Sequence, residues 1–379
     1  MLYQPPLPPE YAELADDQLR AGVQAARKRL GRRLVILGHH YQQDDVIAFA
    51  DFTGDSLKLA QSAARQKDAE FIVFCGVHFM AETADLVTSD RQQVILPDLS
   101  AGCSMADMAH ADDVEAAWAL LTRATSQPIT PVTYVNSSAA VKAFVGRQDG
   151  ACCTSSNARL VVEWALHGAQ PGGDPAAGHK VLFLPDEHLG RNTAYALGWP
   201  LESMAVYDPQ QPRGGLTPQQ LRQARFILWK GCCSVHQLFT TEQVAAVRQR
   251  AEPYQIIVHP ECTWEVCQQA DFVGSTEYII KTVRDAAPGS YWAVGTEVHL
   301  VNRLARTLPD RHVRSLAGIQ CLCTTMYRID LKHLYWVLDR LLRGEVVNRI
   351  RVDPQTRRWA LVALDRMLEL APPQPLAVK

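Results

Sequence analysis

The feature that most constrains this chain is a recurrence. A short apolar run tipped by polar residues opens three stretches, at GHHYQ (38–42), YVNSS (134–138) and HPECT (259–263). Each stretch closes on a cysteine-bearing loop: AGCSMAD, KGCCSVHQ and IQCLCTT. Between them a second strand with a polar turn is expected at GVHFMAE, CCTSSNA and VGSTEY. The interval from His40 to Cys103 differs by one residue from that between Glu261 and Cys323, the spacing expected of an internal repeat. The middle stretch is longer and carries two Gly/Pro-rich inserts, HGAQPGGDPAAGH and YDPQQPRGG, expected as surface loops.

Buried runs such as LVILGHH, FIVFCGV, QVILPD, PVTYVNS, KVLFLPD, RFILWKG, YQIIVHP and SYWAVGTE alternate with stretches of helical spacing such as DSLKLAQSAARQ and TEQVAAVRQRAE. That alternation predicts parallel sheets covered on both faces, with ligands at the carboxyl ends of the strands. The fold class is therefore α/β: three αβα units related by pseudo-threefold symmetry, over 30–125, 126–240 and 241–330. C-terminal helices at 331–371 are expected to pack on this assembly. A further helix is expected from Asp16, capped by that Asp and stopped at Gly31. The Pro-rich ends, residues 1–10 and the tail from Ala371, read as extended arms.

Composition narrows the function classes. The 379 residues carry 38 Lys plus Arg against 40 Asp plus Glu, so no overall basic surface points to nucleic acid. No uncharged apolar run reaches membrane-spanning length, so neither nucleic acid nor membrane is an expected partner. The opening MLYQPPLPPEYAELADD has neither a basic n-region nor an apolar h-region, and the expected location is the cytoplasm. There the ten cysteines are core fillers, metal ligands or nucleophiles rather than disulfides.

No CxxC pair occurs among them, which argues against a zinc ribbon or a thioredoxin-type site. One cysteine instead sits in the closing loop of each third: Cys103, Cys233 beside Cys232, and Cys323 two after Cys321. Three thiolates from remote loops suit a soft metal. A 4Fe-4S cluster held by only three leaves one iron open as a Lewis acid. Cys75, Cys152, Cys262 and Cys267 read as buried, inert thiols.

The strand tips offer acid and base groups. His39, His40 and Tyr41 lie at the first tip; Tyr134 and Asn136 share one face of theirs, as do His259 and Glu261. The turns GDS (54–56), TSSN (154–157) and GST (274–276) place hydroxyls ahead of helices, where they act as plain N-caps or as anion donors. No GxxxxGK[ST] or GxGxxG is present, so nucleotide cofactors have no support. The basic residues near 340–358 read as a solvated helical face.

Taken in order, GHHYQ, ADFTGDSLKLA, GVHFMAET, PDLSAGCSMAD, YVNSSAAVKA, CCTSSNA, LPDEHLG, GCCSVHQ, HPECTWEVCQQADFVGST, VGTE and CLCTTMYRID resemble the quinolinate synthase family over about residues 30–335. The resemblance implies three αβα units around one 4Fe-4S cluster. It implies a transferase of NAD biosynthesis that condenses iminoaspartate with dihydroxyacetone phosphate, releasing phosphate and water, and a functional link to an aspartate oxidase supplying the iminoaspartate. Its cluster ligands fall on Cys103, Cys233 and Cys323. Cys233 is preferred to Cys232 because the family's ligand lies three before a His, here His236. Cys323 is preferred to Cys321 because the ligand precedes a TxM-like stretch, although some family members have CxxC where this chain has CxC. Implied substrate contacts are His39, Ser56, Tyr134, Val135, Asn136, Ser155, His259, Pro260, Glu261 and Thr276, and implied catalytic groups are His39, Tyr41, Tyr134 and Glu261. Two other readings stay open at this level: a different iron-sulfur hydro-lyase acting on a small dicarboxylate, and a non-catalytic cluster protein with a fourth ligand from Cys232 or Cys321.

Overall fold

Strands form at all eight of the apolar runs. The computed structural model describes residues 3–169, 178–318 and 321–370, so most of the first Gly/Pro insert and the tail from Ala371 lie outside the described residues. The first sheet contains β1 (Leu34–His39), β2 (Phe52–Gly54), β3 (Phe71–Cys75) and β4 (Gln93–Ile95). The second contains β5 (Ile129–Tyr134), β6 (Ala151–Cys153), β7 (Lys180–Leu184), β8 (Met204–Tyr207) and β9 (Phe226–Trp229). The third contains β10 (Tyr254–Val258), β11 (Phe272–Val273), β12 (Tyr291–Gly295) and β13 (His312–Ser315), and β14 (Arg349–Ile350) returns to the first.

The orders are β2-β1-β3-β4-β14, β6-β5-β7-β9-β8 and β11-β10-β12-β13. All pairs are parallel except β14 with β4. In every sheet the opening strand lies between the second and third, so its polar tip is delivered at the middle of the carboxyl edge. Helices cover both faces, which is why β1, β3 and β7 are buried at every position instead of alternating.

Several sequence expectations shift. GVHFMAE is not a second strand: it follows the third strand, β3, and runs into the helix His78–Val87, while the second strand of the first sheet is Phe52–Gly54 just before the GDS turn. Short, half-buried β2 lacks the apolar run that marks a strand. The longer middle third is explained by an extra strand, β8, whose YDPQQPRGG continuation turns through Pro212–Gly215. The helix Asp16–Leu30 is capped by Ala15 rather than Asp16, with the Ala15 N–H donating to Gln18 Oε1 at 3.0 Å. The N-terminal arm is tied down: Gln4 Oε1 accepts from Leu99 N and Asn348 Nδ2, both at 2.8 Å, and Pro9–Ala12 is helical.

The C-terminal helices Leu331–Leu342 and Pro354–Leu370 pack on Asp16–Leu30 and on Ala139–Arg147. The second contact is close. A Cβ on Gly146 would stand 2.0 Å from the Trp359 carbonyl oxygen, so only glycine fits there. The basic stretch is solvated at Arg343, Arg349, Arg351 and Arg358, but it is not one helical face. Arg349 belongs to β14, Arg340 Nη1 donates to Glu345 Oε2 at 2.9 Å, and Arg357 donates to the Thr88 carbonyl.

Candidate active site

The three cysteine loops share one local design. Each cysteine precedes a 3-10 turn, at Ala106–Met108, His236–Leu238 and Met326–Arg328. The cysteine carbonyl accepts the N–H four residues on, from Asp107 at 3.0 Å, Gln237 at 3.1 Å and Tyr327 at 3.0 Å. This winding turns further N–H groups toward sulfur: Ala106 and Met105 toward Cys103, His236 toward Cys233, Met326 and Thr325 toward Cys323.

All three cysteines line a single cavity. The same walls carry His39, Tyr41, Ser56, Tyr134, Val135, Asn136, Ser155, His259, Glu261 and Thr276, so of the contacts and catalytic groups implied by the resemblance only Pro260 does not line it. Pro260 is buried, and its carbonyl accepts from Asn192 Nδ2 at 2.8 Å. His40 turns away to another cleft, where its Nε2 lies 2.8 Å from Glu277 Oε1. Cys232 and Cys321 do not line this cavity. Cys75, Cys152, Cys262 and Cys267 are buried and free.

The three polar turns each carry a cap or a turn-closing hydrogen bond. Asp55 caps the helix Ser56–Arg65 by accepting from Lys58 N at 3.0 Å, and Ser275 caps Thr276–Asp285 by accepting from Tyr278 N at 3.3 Å. Thr154 N donates to Asn157 Oδ1 at 2.7 Å ahead of Ala158–Leu166. In each case neighbouring residues close the turn. The hydroxyls of Ser56, Ser155 and Thr276 are left at the cavity wall.

Burial controls the charges. It pushes the Cys103 thiol up to about 12 and raises Cys233 and Cys323, against the pull of the N–H groups just named. These thiols hold their protons until a metal displaces them. Burial and the neighbouring His40 hold His39 down to about 3, so its ring is neutral near pH 7. His39 Nδ1 accepts from Tyr41 N at 3.1 Å, which leaves its proton on Nε2. Burial raises Tyr41 and Tyr134 well above 10, so both phenols keep their protons near pH 7.

Glu261 is the anionic centre. Its Oε2 lies 3.0 Å from His259 Nδ1 and 3.3 Å from His236 Nδ1, and those two rings stack at 4.4 Å. Burial works to raise its carboxyl, but the two facing imidazoles outweigh that and hold it far below the usual range. Glu261 Oε1 and Asn136 Oδ1 are buried acceptors that find no partner among the described residues. Both belong to cavity-lining residues, ready for donors on a ligand. Cys233, His236 and Glu261 also bring ligand atoms within 4.8 Å of one another, so the cavity holds the donors of a metal site.

A family model described as quinolinate synthetase A protein matches residues 21–369. The chain belongs to the quinolinate synthetase A family. It is 54% identical over 365 residues to a quinolinate synthase of Nocardioides sp., covering 96% of this chain and 92% of that one. It is also 54% identical over 368 residues to that of Geobacillus thermodenitrificans, covering 96% and 97%. The quinolinate synthase of Streptomyces coelicolor is 53% identical over 360 residues, covering 94% and 89%. In this quinolinate synthetase A family chain, no helix among the described residues is long and apolar enough to cross a membrane.

Sequence reasoning missed three side chains of the site. His236 served only as a ruler for Cys233, yet it lines the cavity and faces Glu261. Thr296, in the VGTE motif, hydrogen-bonds Tyr41. Glu277 joins the first and third sheets by taking His40 Nε2 at 2.8 Å and Lys58 Nζ at 3.1 Å on one oxygen. Burial raises the Glu277 carboxyl, but His40 and Lys58 outweigh that and hold it at about 2. Stability from this ionised form is complete above the ordinary value of 4.5 and is lost as pH falls toward about 2. Replacing Glu277 by Gln is expected to destabilise the fold by roughly 2 kcal/mol at pH 7. Urea denaturation of both proteins should show that gap closing on acidification between those two pH values.

Proposed function

We propose that this chain is a quinolinate synthase that condenses iminoaspartate with dihydroxyacetone phosphate to give quinolinate. The observation that carries this is one cavity with three loop cysteines in its wall together with an acid and base set and the hydroxyls of Ser56, Ser155 and Thr276. The atoms balance when one inorganic phosphate and two waters leave. No electrons are gained or lost overall, so the reaction calls for a Lewis acid rather than an electron carrier.

Cys103, Cys233 and Cys323 would hold a 4Fe-4S cluster, and the backbone N–H groups aimed at their sulfurs fit thiolate ligands. When bound, the cluster supplies one iron without a protein ligand as a Lewis acid toward a substrate hydroxyl or carboxylate. The chain's own residues do the rest. Ser56 and Ser155, at or just before helix N-termini, donate to the carboxylates and the phosphate, and the dipoles of their helices, with that of the helix Thr276 opens beside them, favour those anions. Asn136, beside Val135, orients the amino-acid half through its unpartnered oxygen. Pro260 holds His259 and Glu261 in place through the Asn192 bond to its carbonyl. Glu261, ionised between two imidazoles, takes the proton that must leave carbon as the ring forms. His39 Nε2–H and the phenols of Tyr41 and Tyr134 return protons to the departing oxygens.

The units 30–125, 126–240 and 241–330, with the helices to 371, form the proposed threefold frame around this cavity. Iminoaspartate hydrolyses in water, so an aspartate oxidase working nearby is the fitting supplier. Ten free cysteines suit the reducing cytoplasm. The test is anaerobic: the iron- and sulfide-loaded chain is given iminoaspartate and dihydroxyacetone phosphate, and quinolinate is measured.

A further inference from the structure

Thr296 stands just beyond the end of β12, fully buried and outside the cavity wall. Its hydroxyl nevertheless reaches two residues that line it. Thr296 Oγ1 lies 2.8 Å from the Tyr41 phenol oxygen and 3.2 Å from His236 Nε2. The phenol oxygen lies 3.0 Å from Thr276 Oγ1, and His236 Nδ1 lies 3.3 Å from Glu261 Oε2. Tyr41 follows β1 of the first sheet, His236 follows β9 of the second, and Thr296 follows β12 of the third. One hydroxyl therefore joins all three.

A hydroxyl carries a single proton, so it donates to one of these neighbours and accepts from the other. Suppose it donates to Tyr41. Then a neutral His236 ring must carry its proton on Nε2, and its bare Nδ1 faces the Glu261 carboxylate, lone pair against lone pair. Suppose instead it donates to His236 Nε2. The neutral ring then presents Nδ1–H to Glu261, the Tyr41 phenol donates to Thr296, and Thr276 donates to the phenol oxygen. With a neutral ring, only this second arrangement turns a proton rather than a lone pair of Nδ1 toward the Glu261 carboxylate 3.3 Å away. Because the site is buried, a wrong-sense contact would leave a polar atom unpaired.

We propose that Thr296 is a positioning residue whose hydroxyl selects the His236 tautomer that presents Nδ1–H to Glu261 and holds the Tyr41 phenol at the cavity wall. It acts through Tyr41 and His236 and does not touch substrate. The role assigned to it in turnover rests on the quinolinate synthase reading.

The experiment compares Thr296→Val, which keeps the shape and removes the hydroxyl, with Thr296→Ser, which keeps the hydroxyl. In the cluster-loaded enzyme, T296V is expected to lose roughly 100-fold in kcat, the scale of a misplaced reacting group. Its KM should stay within about threefold, because binding contacts are untouched. T296S should stay within about threefold of the parent in both constants. Selective 15N-histidine spectra should show His236 protonated on Nδ1 in the parent and in T296S, and shifted toward Nε2 in T296V. Parental kcat in T296V, a T296S loss as deep as that of T296V, or an unchanged His236 tautomer would each overturn the proposal. Should T296V unfold at the assay temperature, Thr296→Ala takes its place against T296S with the same criteria. A parent chain that makes no quinolinate sinks the functional reading instead, and the tautomer comparison still decides the role of Thr296.

Discussion

Cys103→Ala is expected to remove the cluster and the activity together. The purified variant should lack the brown absorbance of a 4Fe-4S centre, bind little iron and sulfide, and lose quinolinate formation by on the order of 10³-fold or more. That scale follows from withdrawing several kcal/mol of Lewis-acid stabilisation from the transition state. The reasoning is geometric. The three sulfurs come from three separate loops, each wound into the same 3-10 turn, and no other cysteine lines the cavity to replace one of them. The control is Cys232→Ala. Cys232 adjoins Cys233 but its Sγ is turned to Gln237 Oε1 at 3.2 Å, away from the cavity, so this variant should keep colour and most activity. A colourless Cys232→Ala protein beside a brown, active Cys103→Ala protein would reverse the ligand assignment.

Glu261→Gln should be the second large effect, and it should leave the cluster intact. The amide keeps the size of the side chain but removes the charge that the two facing imidazoles stabilise. If Glu261 takes the proton that leaves carbon, kcat should fall roughly 10²- to 10⁴-fold. Iron and sulfide content should match the parent. The Glu261 carboxyl is held far below its ordinary value of 4.5, so its stabilising charge is complete above that value and fades only as pH drops below it. It therefore does not set the acid limb of the parent rate profile between pH 5 and 8. A parental kcat in Glu261→Gln would move the base role to another residue of the cavity.

Much of this was legible in the sequence because parallel strands buried on both faces write themselves as unbroken apolar runs, and polar residues at their ends stand out. LVILGHH, PVTYVNS and YQIIVHP mark β1, β5 and β10 together with the tips that reach the cavity. The elements that escaped are those without such a run. Phe52–Gly54 is three residues long and half-buried, and β14 pairs through two residues with a strand some 250 positions earlier in the chain. Within the site, residue types on strand tips could be read, but hydrogen-bond partners could not. Nothing in VGTE tells that its threonine meets a tyrosine from the first sheet and a histidine from the second, since that contact exists only once the three sheets converge. The same holds for His40, which sits beside His39 in sequence and faces Glu277 instead of the cavity.

The central claim is that this cavity builds a pyridine ring from two small anions, and product formation tests it most directly. Under anaerobic conditions, the loaded chain should convert iminoaspartate and dihydroxyacetone phosphate into quinolinate, with phosphate released in equal amount. Carbon label from dihydroxyacetone phosphate should appear in the ring. Loss of iminoaspartate with no labelled quinolinate, from protein shown to hold its full iron and sulfide, would contradict the account.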